Sequence, residues 1–316
     1  MVRRLLVSIP VFLGITMLTF VFIRMAPGDP VRMMADPEYL AGDAEGYLER
    51  LRVDLGLDKP LPIQYVVWVG QVAQGNLGYS FHDRRPVTDI VAERVLPTVK
   101  LMGTAMLIAL LVGVPVGILA ALRQHSAFDY LAAVLTLATI STPSFLLGLA
   151  AIYVFSLRLE LLPTSGMFSI GAPRSLLDDL HHLVLPAGIL GLNLAGPLAR
   201  YARASLLEVI HQDYLTTARA KGLRAGAIVV RHALPNALIP LITVVAIQIP
   251  GLFAGAVVIE QIFSWPGMGQ LALAAITLRD YPVLMGFTMS IAVLVLLSNL
   301  LADIAYAVVD PRIRLQ

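Results

Sequence analysis

The sequence predicts an all-α integral membrane protein with six transmembrane helices. Of its 316 residues, 58% are hydrophobic and only 14% are charged, whereas soluble domains carry about 25% charged residues. Six stretches of 17 to 27 residues contain no Asp, Glu, Lys, Arg or His, and about 20 apolar residues let a helix cross a bilayer. Each stretch must be helical, because lipid offers backbone groups no other hydrogen-bond partner. The stretches are residues 5–23, 101–122, 131–157, 183–199, 238–259 and 283–302.

The first stretch follows Arg3 and Arg4, as the apolar part of a signal peptide would. It is too long for that role, and no small-x-small cleavage site follows it. We therefore expect an uncleaved first transmembrane helix.

A long polar segment, residues 24–100, separates the first two stretches. Apolar positions predict one short helix over residues 38–53 and another over residues 62–73, and Gly75 and Gly78 interrupt the pattern after it. We expect this segment to fold against the outer membrane surface. The acidic residues of the outer loops are expected to form a solvated face, with contact to an outer partner as the alternative.

Composition within the stretches constrains how the protein works. Gly113 and Gly117 have the small-xxx-small spacing that lets two membrane helices approach closely. Proton- and ion-coupled carriers commonly place ionisable residues within the membrane, and these stretches contain none. This composition argues against secondary transport.

Basic residues orient the chain. Loop 200–237 carries six Lys or Arg residues, whereas the short loops 158–182 and 260–282 together carry three. Because basic residues favour the cytoplasmic side, loop 200–237 and both termini are predicted to be cytoplasmic.

Loop 200–237 predicts two short helices around a bend. Asp213 is a suitable N-cap for the first helix, and Gly222 suits the left-handed position that ends it. The second helix is expected from about residue 225 to residue 233, with Leu234-Pro235 ending it before the next span. The loop is basic and amphipathic, so both anionic lipid and a protein partner are compatible with it.

Several kinds of site are missing from the sequence. Without cysteine, disulfides, zinc thiolate sites and cysteine nucleophiles are excluded. No G-x-x-x-x-G-K-[ST] phosphate-binding loop is present, so we expect no ATP hydrolysis and no catalytic residue on this chain. The pair His181-His182 is interpreted as a solvated loop feature and not a metal site, and the net charge of +2 is too small to suggest nucleic acid.

Loop 200–237 resembles the signature loop of permease subunits in binding-protein-dependent ABC importers. Thr216-Thr217-Ala218 stands in place of its Glu-Ala-Ala, Gly222 in place of its glycine, and Leu234-Pro235 in place of its closing pair. The form of residues 213–223 and 231–240 resembles that in dipeptide, oligopeptide and nickel permeases. Other strings agree in order along nearly the whole chain, namely residues 27–30, 55–60, 75–80, 142–145, 161–166, Glu260 with 263–269, 279–282 and 310–314.

The resemblance implies the type I ABC importer permease fold. Residues 1–100 would form the first transmembrane helix and the long extracytoplasmic segment of a B-type subunit, and residues 101–316 a five-helix core. The implied partners are a second homologous permease, two cytoplasmic ATPases that hold ATP and Mg²⁺, an outer solute-binding protein and the lipid of a bacterial-type plasma membrane. The implied coupling residues are Asp213, Tyr214, Thr216, Thr217, Ala218, Arg219, Lys221, Gly222, Leu234 and Pro235.

Two other functions are compatible with the residues alone: an ATP-independent secondary carrier or channel, and a non-transporting membrane scaffold. Flux through the reconstituted single chain would favour the first, and failure to co-purify with a second permease and two ATPases would favour the second. The family resembled moves dipeptides, longer peptides, nickel complexes, glutathione or sugars. Peptides are the expected cargo, and no residue is identified as a substrate ligand.

Overall fold

The structure is a computed structural model that describes residues 2–25, 31, 44–54, 56–171 and 173–309. Parts of the sequence predictions lie outside the described residues: the string at 27–30, the first six residues of the helix over 38–53, the first residue of the string at 55–60, and the string at 310–314. Helices dominate the described residues, which contain no β-strand, as the predicted all-α class requires.

The described helices are mostly long and apolar. π-helical turns follow the sixth and ninth of them, at Ile152–Arg158 and Val229–Ala233. The helices are α1 (Val2–Met25), α2 (Ala44–Asp54), α3 (Leu61–Ala73), α4 (Val87–Leu122), α5 (Ala127–Ser141), α6 (Ser144–Ala151), α7 (Leu176–Ile210), α8 (Asp213–Ala220), α9 (Ala225–Ile228), α10 (Leu234–Ile262), α11 (Met268–Thr277) and α12 (Tyr281–Val309).

Membrane-spanning length is reached by α1, α4, α7, the run from α9 into α10, and α12. The bent pair formed by α5 and by α6 with its π-helical turn makes a sixth span when it is counted as one. These six match the six apolar stretches of the sequence and confirm the predicted all-α membrane class.

The third stretch, residues 131–157, is helical as predicted but is divided into two helices. The chain bends by 101° between α5 and α6. Thr142 has an extended backbone with φ −93° and ψ 123°, because the residue before a proline is pushed out of the α region. Pro143 then caps α6, so the apolar run contains a sharp break that hydropathy does not reveal.

The chain divides into two compact units, residues 1–95 with 271–296 and residues 96–270 with 297–316. In the second unit, α4 and α7 approach closely at two glycines. A Cβ atom on Gly113 would lie 2.6 Å from the carbonyl oxygen of Ala195, and one on Gly117 would overlap that of Ala199. The predicted close approach at Gly113 and Gly117 is therefore confirmed. The predicted division of the sequence after residue 100 stays a prediction.

Two acids between the spans are buried, so the expected solvated face is wrong for them. In the second unit, Glu260 is 0% exposed and accepts hydrogen bonds from Thr98 Oγ1 and the Gly269 amide, each 2.6 Å long. In the first unit, Asp280 is 3% exposed and accepts from Ser80 Oγ at 2.5 Å. A buried carboxylate needs such donors because removing its charge from water costs several kcal/mol. Both acids hold turns in place.

The histidine pair lies in the first part of α7 and not in a loop, which corrects the prediction. His182 is 7% exposed, and its Nδ1 lies 2.9 Å from the carbonyl oxygen of Asp178. The His181 Nε2 lies 2.8 Å from the carbonyl oxygen of Leu161. Within the described ranges no group of three or more His, Cys, Asp or Glu could hold a metal ion.

Candidate functional site

The candidate site is loop 200–237, which lies entirely in the second compact unit. Residues 200–210 are the end of α7, and α8 begins at Asp213 after two connecting residues. Gln212 is the N-cap and its side chain makes no capping hydrogen bond, so the prediction that Asp213 is the N-cap is wrong by one residue. Asp213 lies instead in the first turn, where the positive end of the helix dipole stabilises its negative carboxylate.

Gly222 ends α8 in the conformation that the sequence predicts. Its φ is +77°, a left-handed value that glycine adopts without the strain caused by a Cβ atom. The Gly222 amide donates to the Arg219 carbonyl (3.0 Å) and the Leu223 amide to the Ala218 carbonyl (3.4 Å). This pair of bonds is a Schellman motif, and it fixes the bend between α8 and α9.

The second helix of the loop does not end at Leu234-Pro235 as predicted. Residues 225–228 are α-helical, residues 229–233 form a π-helical turn, and α10 starts at Leu234 with the proline in its first turn. A proline has no N–H for the carbonyl four residues earlier and its ring crowds that carbonyl. A wide π turn directly before Pro235 avoids this conflict, so the loop joins α10 as one continuous helical rod.

One face of α8 and α9 is anchored within the chain. Leu215 and Ala233 are 0% exposed and Ile228 is 3% exposed, and all three join an apolar cluster with Ala121 of α4 and Leu206 of α7. Burying a leucine side chain stabilises a fold by about 1.5–3 kcal/mol. The apolar face of the loop is therefore already covered by the protein, which leaves a polar face for a partner.

The structure places most predicted coupling residues on that polar face. Ala218 and Leu234 are half-buried and pack against the apolar cluster, so they support the loop from beneath. The exposed members of the set are Asp213, Tyr214, Thr216, Thr217, Arg219, Lys221, Gly222 and Pro235.

Side-chain hydrogen bonds hold α8 against the start of α10. Asn236 Nδ2 donates to the Tyr214 hydroxyl (3.1 Å) and to the His232 carbonyl (2.8 Å). The same carbonyl lies 3.5 Å from the tyrosine hydroxyl. The sequence marks Tyr214 as a site residue, but the role of Asn236 depends on the fold of the bend.

An ion pair ties α5 to the part of α7 that belongs to loop 200–237. Arg203 donates from Nε and Nη2 to the two oxygens of Asp129 at 2.7 and 2.8 Å. Asp129 is 5% exposed and also accepts from the His125 amide at 3.1 Å. Two parallel bonds between an arginine and a carboxylate fix the relative geometry of their helices. Sequence reasoning misses this pair, because the partners are 74 residues apart and neither is part of a local motif.

Comparison with known proteins connects this geometry to a family. The family described as "Binding-protein-dependent transport system inner membrane component" matches residues 113–315, and the family for the N-terminal part of the membrane component of such systems matches residues 1–102. The oligopeptide transport system permease protein AppB of Bacillus subtilis is 42% identical, over 99% of this chain and 98% of its own length. The dipeptide transport system permease protein DppB of Escherichia coli K12 is 40% identical, over 99% and 97%.

A solved structure shares the fold at lower identity. The inward-facing MetNI methionine ABC transporter gives a TM-score of 0.56 at 18% identity, over 70% of this chain and 96% of the matched chain. At this identity the likeness concerns the fold alone. It confirms the fold predicted from the sequence.

Proposed function

Because the chain belongs to the family of binding-protein-dependent transport system inner membrane components, we propose that it forms half of the translocation path of an ATP-driven peptide importer. Loop 200–237 couples this path to ATPases that are separate polypeptides. The observation that carries the proposal is the two-sided loop, whose apolar face is buried in its own chain while its polar face is exposed. A rigid rod with a polar outer face suits a groove on another protein better than it suits hydrocarbon.

Some residues of the loop would contact the ATPase, and others set the geometry of the loop. Asp213, Tyr214, Thr217 and Lys221 offer charges and hydrogen-bonding groups to the ATPase surface, together with Thr216 and Arg219. Gly222 sets the bend, and Ala218, Leu234 and Pro235 join α8 to the rod that continues into α10. Closure of the ATPases moves this rod as a rigid body, and the path rocks between inward-facing and outward-facing states.

The complete transporter contains a second homologous permease, two cytoplasmic ATP-binding subunits with ATP and Mg²⁺, and an extracytoplasmic solute-binding protein. This chain hydrolyses no ATP and holds no cofactor of its own. It lies in a bacterial-type inner membrane with both termini in the cytoplasm, an orientation that the six basic residues of loop 200–237 support. Residues 1–100 supply the first span with its extracytoplasmic segment, and residues 101–316 the five-helix core.

Peptides are the proposed cargo. Two relatives that match 99% of this chain carry the names of oligopeptide and dipeptide permeases. The solute-binding protein selects the cargo, so the two permeases need only a path that accepts peptides. Identifying the ligand of the partner binding protein tests this part of the proposal.

Gly222→Val tests the coupling role. A β-branched residue at φ +77° costs about 1–3 kcal/mol of backbone strain, so the bend deforms and we expect loss of ATPase capture and of ATP-dependent import. The matched control is Gly75→Val in the first unit. Gly75 has φ +82°, and a Cβ atom at either glycine meets no atom within 4 Å, so the control has equal strain far from the loop in sequence.

Co-purification of the ATPases and peptide uptake in proteoliposomes are the measurements. We expect Gly75→Val to keep ATPase capture while Gly222→Val loses it. Normal capture and import by Gly222→Val would contradict the coupling role. Peptide flux through the single chain without ATPases would contradict the importer proposal itself.

A further inference from the structure

The short helix α3 has the composition of a lipid-contacting element. None of its 13 residues is charged and none is buried. Several of its apolar side chains are exposed, with Val66 at 67% and Ile63 and Val67 at 48% each. A helix of this kind in water would expose a large apolar surface. Its surroundings must therefore be apolar.

Contacts within the first unit place α3 beside the membrane-spanning α1. The Tyr65 hydroxyl donates to the Leu13 carbonyl (3.1 Å) and lies 2.9 Å from Thr16 Oγ1. Leu13 is midway along α1, a helix of 24 residues that is about 36 Å long at 1.5 Å per residue. The Trp68 ring lies 6.1 Å from that of Phe20, further toward the carboxyl end of α1. Helix α3 thus lies along the carboxyl-terminal half of α1, at the depth of one bilayer leaflet.

A cavity of about 530 Å³ opens between α1, α3 and the chain around them in the same unit. Its wall is apolar and aromatic, and it includes Phe20, Leu61 and Trp68. Among the described residues that line it, three are basic and none is acidic. The basic residues are Arg24, Arg52 and Lys59. This combination suits a molecule with one anionic group and an apolar body.

Arg24 is the strongest sign of an anion at this cavity. Its side chain is half-buried at the end of α1, and its Cζ lies 5.2 Å from the centroid of the Phe20 ring. In the described part of the chain, no carboxylate forms an ion pair with it. Arg52, by contrast, pairs with Glu49 at 3.1 Å. A partly buried guanidinium favours an anionic partner, because the ring face replaces only part of its hydration.

Gln64 adds a hydrogen-bond acceptor to the same cavity. Its Nε2 donates to the carbonyls of Leu57 (3.1 Å) and Lys59 (2.7 Å), which fixes the orientation of the amide. Its Oε1 is buried and has no hydrogen-bond partner among the described residues. An unpaired buried acceptor costs about 1–3 kcal/mol. A ligand with a hydroxyl donor near its anionic group would remove that cost.

We propose that this cavity binds phosphatidylglycerol from the leaflet at the carboxyl end of α1. The phosphate pairs with Arg24 and Lys59, the glycerol hydroxyl of the headgroup donates to Gln64 Oε1, and an acyl chain lies along Phe20, Trp68 and the exposed face of α3. A zwitterionic choline lipid lacks both the net charge and the hydroxyl donor. A specific anionic lipid would then fix α3 against α1.

Tryptophan fluorescence tests the proposal on the full chain purified in detergent. The only tryptophans are Trp68, which lines the cavity, and Trp265, which is 1% exposed within an apolar core. Lipids with brominated acyl chains therefore quench mainly Trp68. We expect half-quenching by brominated phosphatidylglycerol at a concentration about tenfold lower than by brominated phosphatidylcholine, since one charge-assisted contact of this kind changes affinity about tenfold. Brominated phosphatidylmethanol, which has the charge without the hydroxyls, should fall between them.

Variants separate the cavity from general surface charge. Arg24→Gln should lose the preference for phosphatidylglycerol. The control Arg174→Gln should keep it, since Arg174 also lies over a phenylalanine ring (5.1 Å) but in the second unit.

Equal quenching by the glycerol and choline lipids in the unmodified protein would overturn the proposal, as would an unchanged preference in folded Arg24→Gln. Displacement of the brominated lipid by inorganic phosphate would assign the cavity to a free anion. Equal affinity for phosphatidylmethanol would overturn the role of Gln64.

Discussion

Helix α8 in loop 200–237 and helix α3 in the segment after α1 are both short connectors between membrane spans. They differ in whether their apolar side chains are buried or exposed. Helix α8 buries its leucine completely, with Leu215 0% exposed, and turns a polar face outward. Helix α3 buries none of its residues and turns valine, isoleucine and leucine outward. This contrast fits the partners proposed above, a protein for α8 and lipid for α3.

This difference explains why basic character alone does not identify a coupling loop. Basic residues occur near both helices, as Arg219 and Lys221 in α8 and its bend and as Arg24 and Lys59 near α3. Those of the loop extend from a rod anchored in the protein, whereas those near α3 surround a cavity with apolar walls. Basic residues on an anchored helix and basic residues around an apolar cavity therefore suit different ligands. The packing beneath the basic residues distinguishes the two cases.

Truncating one apolar residue in each helix gives the largest expected difference. Leu215→Ala leaves a cavity in a closed cluster and should lower the free energy of unfolding by about 2–5 kcal/mol. Val66→Ala, at a position 67% exposed, should change it by at most about 0.5 kcal/mol. Unfolding by SDS titration in mixed micelles measures both values. Similar losses in the two variants would contradict the contrast between an anchored and a lipid-facing helix.

Removing one ion pair near each helix gives a smaller effect. Asp129→Asn takes the charge from a carboxylate that is 5% exposed and holds Arg203 with two hydrogen bonds, and it should cost about 1–3 kcal/mol. The control Glu49→Gln breaks the exposed pair with Arg52 in the first unit and should cost about 0–1 kcal/mol. The same SDS titration measures both. If Glu49→Gln lowered the free energy of unfolding as much as Asp129→Asn, the ion pair between α5 and α7 would be no more important for stability than the exposed pair in α2.

The sequence predicts the features of this protein that depend on local chemistry. Apolar length identifies the spans, and Gly222 is placed correctly because a left-handed residue after a short helix has few alternatives to glycine. Gly113 and Gly117 identify a helix contact for a similar reason, since only a small residue permits it. In each case the residue type and its spacing carry the information.

Other features depend on partners far away in the chain, and the sequence does not predict them. Proline gives two different results here, a sharp break at Pro143 and a continuous rod with a π turn at Pro235. The surrounding packing decides between these outcomes. The burial of Glu260 similarly depends on Thr98, which is 162 residues away. An acidic residue in an outer loop is for this reason predicted to be solvated when the sequence alone is considered.

The most direct test of the coupling loop is a single cysteine at Thr217. The chain contains no cysteine, so Thr217→Cys introduces a unique thiol on the exposed face of α8 without further changes. In intact cells we predict that this thiol resists a membrane-impermeant maleimide, and that in inverted membrane vesicles it cross-links to the ATPase subunit. Labelling from outside intact cells, or a cysteine that reacts in inverted vesicles and never cross-links to the ATPase, would contradict the account.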